Sequence, residues 1–539
     1  MPHRPLGGLR PLLVQRRGGV PRGRGELSGW RREALAALSG LLLFLSFPKF
    51  GHAAFAWVAL APLLIALPRA GGWRALRLGY LTGAISSLGI LYWTALVVVQ
   101  YGGMALPIGI LVMVALCLAF SVFHALFGWA TARFTSVFGP AGLLGAPFAW
   151  AGLEYTRSIT FFRFPWCLLG YSQHAQLPFI QIASVTAVYG VSFVLAMVSA
   201  LLAIFALEAR PAWRRAAALG VALLIAAAWG FGRWTMSQPV HEAGRITVGL
   251  VQGGIRQEDK WVPENASANV DRHVELSQEA AAGGARLVVW PESAVPFLFD
   301  EDPSLADLLR KLVERECVYL FFGNDDRERQ PDGSGLVYVG AKLLAPDGRL
   351  LARYRKIQLV PFGEYVPLQP LFTMGGRYAA KLVHEVADFT PGTEATTGVV
   401  EGHRLGGFIC YEAIFPGLVR RFAEGGAELL VNVTNDAWYG TTSAPYQHLA
   451  MAAFRAVENR RYLVRAANTG ITAVVDPYGR VLEETRLFDR TVLVREVPFV
   501  AGETFYTRHG DVFAHACLAL ALALLAASWR PRRPAGVAG

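Results

Sequence analysis

Apolar positions divide the chain into three stretches. Between Ala34 and about Trp234 apolar runs follow one another almost without interruption; from Ile246 to about Phe499 apolar and polar positions alternate over short periods; Val512 to Trp529 is apolar again. Divided at its Pro, Gly and Arg punctuation, the first stretch gives seven candidate spans, about 33–48, 52–67, 77–100, 105–133, 138–156, 180–207 and 213–232, and the terminal run gives one more. Crossing a bilayer takes about 20 apolar residues, which several of these reach. The first two are short and read equally well as a re-entrant pair. The expected organisation is a basic segment at 1–32, a membrane domain of about seven spans at 33–234, a folded domain at 245–500, a membrane helix at 511–529 and a tail at 530–539.

In the middle stretch the period changes. RITVGLVQ, RLVVWPE, CVYLFFGND, GGFIC and AELLVNVTND read as strands bounded by Gly, Asp or Pro, while SLADLLRKLVERE and QHLAMAAFRAVENRRYLVRAAN read as amphipathic helices. Asp347-Gly348 and Tyr478-Gly479 are hairpin signals. The mixture predicts a layered α/β fold, and the nearly all-apolar strands predict sheets covered on both faces.

With 539 residues, 53% of them hydrophobic, the chain is too apolar for an ordinary soluble enzyme and long enough for two or more domains. Its net charge of +11 comes largely from arginines at span ends. Arg4, Arg10, Arg16, Arg17, Arg22, Arg24, Arg31 and Arg32 precede the first span. With eight spans, the loops holding Arg69, Arg74 and Arg77, Arg133, and Arg210, Arg214 and Arg215, with the tail of Arg530, Arg532 and Arg533, fall on the same side. Basic loops face the cytoplasm, so both termini are expected inside and the 245–500 domain outside, although Arg157 and Arg163 break the pattern. No basic stripe interleaved with aromatics speaks for nucleic acid. No small-residue cleavage site follows the first apolar run, so an anchor is expected there rather than a cleaved signal peptide.

Five cysteines, only Cys317 and Cys410 of them in the middle stretch, exclude a disulfide scaffold but leave a single Cys317–Cys410 bridge open. Both are expected in strand-like core stretches. His403, His448, His509 and His515 lack the spacing and companions of a zinc site, so no metal is expected.

Three reactive residue types stand at the ends of predicted strands: Glu292 in WPES, Lys356 in YRKIQ and Cys410 in FICYE. Alone, Glu292 reads as a helix N-cap or loop residue, Lys356 as a surface charge and Cys410 as a small core residue. Together they supply what thiol chemistry on an acyl group needs. A neutral thiol requires a base, which Glu292 provides, and a developing oxyanion requires a donor, which Lys356 and a backbone N–H after the nucleophile provide. A helical run expected from about Ala413 would favour thiolate.

These three motifs, in this order, resemble the Glu-Lys-Cys triad of the nitrilase (carbon-nitrogen hydrolase) superfamily. Flanked by membrane spans, and with VNVTNDAWYG, PYQHLAMAAFRAVENRRYLVRAANTGIT and FPWCLLGYSQ alongside, the chain from about residue 33 resembles the apolipoprotein N-acyltransferase family. The resemblance implies a multi-span α-helical membrane domain joined to a nitrilase-like αββα sandwich. It implies that Cys410 takes an acyl chain from the sn-1 ester of a phospholipid, typically phosphatidylethanolamine, as a thioester. The α-amino group of the S-diacylglyceryl cysteine of an apolipoprotein then accepts it. Glu364 corresponds to a second glutamate contacting the lysine; Tyr411 and Glu412 follow the nucleophile; Trp261 and Trp438 match aromatic positions near the site, or else are ordinary core packing. Asn435 and Asp436 read also as a turn. No cofactor is implied, and the enzyme is expected to act as a monomer in the bacterial inner membrane, with its catalytic domain on the periplasmic side. The paired glycines at 375–376 suggest that 373–389 is a mobile flap opening a lateral path for lipid.

Two rivals share some of these features. A membrane-bound amidase or nitrilase would use the same triad, but the multi-span block exceeds what tethering requires. A transporter with a soluble domain would show ionisable residues deep in its spans; Glu154, near a span end, is one of few and reads as interfacial.

Overall fold

A computed structural model describes residues 29–160, 163–208, 210–331, 334–366 and 389–529. The expected flap at 373–389 thus lies, but for its last residue, outside the described residues, as do most of the N-terminal segment and the tail.

The first half is helical: α1 (Gly29–Phe44), α2 (Ala61–Ala66), α3 (Gly72–Leu91), α4 (Trp93–Gln100), α5 (Leu106–Phe138), α6 (Ala146–Ile159), α7 (Leu177–Ile180), α8 (Ala183–Leu207) and α9 (Pro211–Ser237). Four described stretches are long and apolar enough to cross a membrane: Leu106–Ile159, Ala183–Leu207, Pro211–Ser237 and a terminal helix. A fifth arises if α3 and α4, bent by 53° at their junction, count as one. The sequence reading of eight differs from this in identifiable places. α1 has 16 residues, and 52–67 is not one helix but a 3-10 turn (Ala53–Trp57) followed by the six residues of α2. Within Leu106–Ile159 the chain turns at Gly139, whose φ is +63°, so that α5 and α6 pack on each other. Glu154, read from the sequence as interfacial, lies inside the helical half. It is buried, accepting from Trp150 Nε1 (2.9 Å) and the Leu169 N–H (2.7 Å).

The α/β part contains β1 (His241–Gln252), α10 (Gln257–Lys260), α11 (Ala266–Ala282), β2 (Leu287–Val289), α12 (Pro303–Glu316), β3 (Tyr319–Gly323), β4 (Asp326–Arg329), β5 (Gly335–Tyr338), β6 (Gly340–Leu344) and β7 (Leu350–Arg355). It continues through β8 (Thr397–Val400), β9 (His403–Ile409), α13 (Pro416–Glu424), β10 (Leu429–Thr434), α14 (Ala444–Asn459), β11 (Tyr462–Ala467), β12 (Ala473–Val475), β13 (Val481–Glu484) and β14 (Thr491–Ala501). After α15 (Phe505–His509) the apolar α16 (Val512–Trp529) returns to the helical half and packs on α6.

Two six-stranded sheets form, ordered β14-β1-β2-β3-β6-β7 and β13-β12-β11-β10-β9-β8. Each has a parallel centre, β1-β2-β3 or β9-β10-β11, with antiparallel strands outside. The sheets face one another closely: a Cβ on Gly407 would stand 2.4 Å from the Phe321 ring. Outside, α11 packs on the first sheet and α13 and α14 on the second, so apolar residues fill both faces of each sheet. This is the αββα sandwich.

One element departs from the sequence reading. The run from Gln447 to Asn468 is not one helix: α14 ends at Asn459, Arg460 caps it with φ +53°, and Tyr462–Ala467 pairs between β10 and β12. Amphipathic spacing persists across the boundary, but two-sided burial between neighbouring strands decides for the sheet.

The parallel strands deliver their C-terminal ends to one edge of the sandwich, where open α/β sheets place their ligands. Gly323, ending β3, lies against the turn after β2: a Cβ there would fall 2.5 Å from the Pro291 oxygen and 2.6 Å from the Glu292 Cα. Gly323→Ala is therefore expected to cost about 1–3 kcal/mol of stability, the usual range for overpacking, and to displace Glu292. A lower thermal midpoint in detergent together with reduced activity checks this; an unchanged protein contradicts the close approach.

Candidate active site

Glu292, Lys356 and Cys410 come together at that edge, each just past the end of a strand. Lys356, fully buried, donates from Nζ to Glu292 Oε1 (2.9 Å) and Glu364 Oε1 (2.5 Å). Each carboxylate has a second tie: Glu292 Oε2 accepts from the Asn435 N–H (3.0 Å) and Glu364 Oε2 from the Val360 N–H (2.9 Å). Burial works against the Lys356 ammonium, but Glu292 and Glu364 hold its pKa well above the ordinary lysine value. Burial pushes the Glu364 carboxyl up to about 7, with Lys356 opposing and Glu292 reinforcing the rise.

Cys410 follows β9 with φ +49°, a left-handed conformation costly for a residue with a Cβ and typical of functional turns. Ser293, beside Glu292, is likewise left-handed at +44°. Residues Cys410–Ile414 form a 3-10 turn and α13 begins only at Pro416, so no α-helix N-terminus meets the sulfur, contrary to expectation. The thiol is not favoured as thiolate. Burial first, then the Glu292 charge, push its pKa up, and Lys356 only partly offsets them. No disulfide intervenes: Cys410 is buried and free, while Cys317 is an exposed helix cap outside the core stretch expected for it.

Glu412 shapes the turn. Its Oε1 accepts from Tyr354 Oη (2.7 Å) and the N–H groups of Ile357 (2.6 Å) and Gln358 (3.1 Å), and its Oε2 from the Ile409 N–H (2.8 Å). One buried carboxylate thereby joins the strand end before the nucleophile to the backbone just after Lys356. Tyr411 points the other way, donating through its hydroxyl to the Arg163 carbonyl in the helical half (2.7 Å). Trp261 and Trp438 are not core residues, being 49% and 39% exposed. Trp438 stands edge-on to Tyr101 (4.8 Å), and the Lys260 ammonium lies 5.6 Å from the Trp261 ring centre.

Sequence reasoning missed several supports. Lys260 is buried beside Trp261 and donates to the Glu292 carbonyl (2.9 Å); burial lowers its pKa to about 8. His448, considered only as a metal ligand, donates from Nε2 to the Cys410 carbonyl (3.1 Å), with Nδ1 2.9 Å from Asp436 Oδ1 and 3.1 Å from Arg465 Nη2. Arg465 also reaches Asp436 Oδ2 (2.7 Å), and despite burial it and His448 hold that carboxylate well below the usual range. Asn435 and Asp436 are thus network members, not merely a turn. A lysine adjoining Trp261 and a histidine on an apolar helix were the visible signals. Among the described residues no group of His, Cys, Asp and Glu has the arrangement of a metal site.

The Glu412 clamp gives a direct test. Glu412→Gln sets an amide NH2 among the donors it now accepts, so a loss of about 1.5–3 kcal/mol is expected, the scale of a hydrogen bond to a charged group. Thermal unfolding in detergent reads the stability. A variant as stable as the parent would contradict the clamp.

Comparison with known proteins agrees with this architecture. The family described as Carbon-nitrogen hydrolase matches residues 247–504, and that described as Apolipoprotein N-acyltransferase N-terminal domain matches residues 39–201. An apolipoprotein N-acyltransferase of Geobacter metallireducens is 42% identical over 93% of this chain and 96% of its own. Another, of Chlorobaculum tepidum, is 33% identical over 92% and 96%. Among solved structures, an amidase from Nesterenkonia sp. AN1 aligns with 50% of this chain and 98% of its own at 23% identity and a TM-score of 0.37, too low a score to carry weight. On the two profile matches and the near full-length identity to these relatives, the chain belongs to the apolipoprotein N-acyltransferase family.

Proposed function

We propose that this membrane enzyme transfers an acyl chain from the sn-1 position of a phospholipid, with phosphatidylethanolamine as the typical donor, to the α-amino group of the S-diacylglyceryl cysteine that begins an apolipoprotein. The observation that carries the chemistry is the buried Glu292–Lys356–Glu364 cluster beside the Cys410 thiol.

Because the thiol stays protonated in the resting enzyme, its proton must leave as the sulfur attacks. Glu292 accepts it while a C–S bond forms to the ester carbonyl, and the resulting oxyanion is held by Lys356 Nζ and a backbone N–H of the Cys410 turn. Collapse breaks the ester C–O bond; the departing glycerol oxygen takes the proton from Glu292, and a lysophospholipid leaves. In the second half the neutral α-amine attacks the thioester, Glu292 takes its proton, and collapse returns it to the sulfur as the amide forms. Burial keeps water scarce, so the amine competes successfully with hydrolysis. Glu364 would fix the charge of Lys356, and Tyr411 and Glu412 would hold the turn.

The division of the chain goes with this reading: a membrane domain within 33–234, the catalytic domain within 245–500 and a returning helix within 511–529. We place the catalytic domain on the periplasmic side of the inner membrane, both termini inside, on the strength of the arginines that precede the first apolar helix and follow the last. A single copy suffices, since all proposed catalytic groups lie in one chain.

Incubation of the purified enzyme with phospholipid and no acceptor is expected to add one acyl group by intact mass, and none to Cys410→Ala. No adduct on the parent, or an equal adduct on the variant, would overturn the thioester. Adding a diacylated lipopeptide and following a third chain separates transfer from hydrolysis of a small amide. A second expectation concerns pH. Below about 7 the Glu364 carboxyl holds its proton, removing one negative charge that helps Glu292 draw the proton from Cys410. kcat/KM should therefore rise as pH increases through about 7, and Glu364→Gln should flatten that limb at a lower plateau. An unmoved limb would show that another group sets it.

A further inference from the structure

A cavity of about 410 Å³ opens beside the catalytic cluster, at the seam between the two halves. From the helical half it is lined by the end of α4, Gln100 and Tyr101, and from the α/β half by Arg256, Glu258, Thr441 and Phe488 among others. It is linked to the site through few bonds: its lining residue Gln257 accepts from Asn435 Nδ2 (2.8 Å), and the Asn435 N–H donates to Glu292 Oε2 (3.0 Å). Tyr101 Oη donates to the Ala437 carbonyl (3.0 Å), pinning the wall from the helical half to the Asp436–Tyr439 turn.

The lining decides what fits. Arg256 and Glu258 are exposed charges of opposite sign that form no ion pair among the described residues. Gln100 and Thr441 offer amide and hydroxyl groups, and Gly440, with φ +54°, leaves open space where a side chain would stand. Such a surface is costly for an acyl chain, which would strip water from charges without pairing them. It suits an extended peptide, whose backbone needs donors and acceptors and whose side chains can meet one charge of either sign. In the proposed reaction the acceptor carries both classes of group: its lipid chains belong in the membrane, and its polypeptide must leave the α-amine toward water. A polar cavity at the seam, one residue beyond Asn435, lies where those two parts separate.

We propose that this cavity is the acceptor's peptide subsite, receiving the residues that follow the lipidated cysteine, with Arg256 and Glu258 contacting their charged side chains. The inference rests on the acyltransferase reading, and the test keeps the two apart. Arg256→Glu, Glu258→Arg and the cavity-filling Thr441→Trp are made in the full-length enzyme in detergent. Two rates are measured: acyl-enzyme formation from phospholipid by intact mass, and transfer to two acceptors, a synthetic S-diacylglyceryl-cysteinyl peptide and the peptide-free S-diacylglyceryl-cysteine amide.

The variants are expected to raise KM for the peptide acceptor about three- to five-fold, the scale of one exposed ion pair, with the peptide-free acceptor and acyl-enzyme formation within two-fold of the parent. Arg256→Glu should weaken most the acceptors with an acidic residue beside the cysteine, and Glu258→Arg those with a basic one. No effect on the peptide acceptor, or equal effects on both acceptors, would overturn the subsite. Slower acyl-enzyme formation would overturn it too, by giving the cavity to the donor headgroup. If the parent forms no acyl adduct, the acyltransfer reading fails instead.

Discussion

One ammonium, fully removed from solvent and held between two carboxylates, fixes the geometry on which the site depends. Lys356 follows β7, Glu292 the turn after β2, and Glu364 a turn eight residues beyond the lysine. An isolated buried charge is too costly to persist, whereas a paired one that loses a partner is destabilised by several kcal/mol. The three segments are therefore not free to drift apart. Two carboxylates facing one ammonium leave excess negative charge beside Cys410. Burial first, then the Glu292 charge, hold the thiol protonated at rest, and in the proposed reaction that same carboxylate draws the proton away once a carbonyl is engaged.

The nucleophile is held from three directions. Glu412 ties the strand before it to the backbone after Lys356, His448, braced by the Asp436–Arg465 pair, holds its carbonyl, and Tyr411 reaches the helical half. Other joints cross the same boundary. Trp166 Nε1 donates to Gln447 (2.8 Å), Arg455 to Tyr171 Oη (2.8 Å), and the Val188 N–H to Glu458 (3.0 Å). α14 carries His448, Gln447, Arg455 and Glu458, so the helix that supports the Cys410 carbonyl is also the one that docks on the membrane helices. A shift at this joint would reach the sulfur through one element.

The convergence of Glu292, Lys356 and Cys410 and the layered fold were legible because each rests on a local signal: a polar residue ending an apolar strand, or a glycine in a hairpin. What was not legible depends on partners distant in sequence. YLVRAA continues the amphipathic spacing of α14, and only its place between β10 and β12 makes it a strand. His448 and Lys260 show no motif by themselves; their roles appear when the fold sets them against the Cys410 and Glu292 carbonyls. Glu154 looked interfacial because its neighbours are apolar, yet the Trp150 indole and the Leu169 N–H sit within reach of it. The helical half was the least legible, since chain reversals such as that at Gly139 occur inside continuous apolar sequence, where hydropathy alone gives no boundary.

The high thiol pKa bears on why an acyltransferase would be built on this scaffold. A standing thiolate in a membrane enzyme would be open to oxidation and to stray acylation, because the thiolate is the reactive form. Here burial and the Glu292 charge suppress it; in the proposed reaction the suppression lifts when a substrate carbonyl reaches Lys356 and the developing oxyanion balances the ammonium. Activation is then tied to occupancy of the oxyanion position, and the thioester forms where little water can reach it. The helical half meets the site on the side of Tyr411 and Trp166, through contacts to the turn that carries Cys410 and to the helix that carries His448.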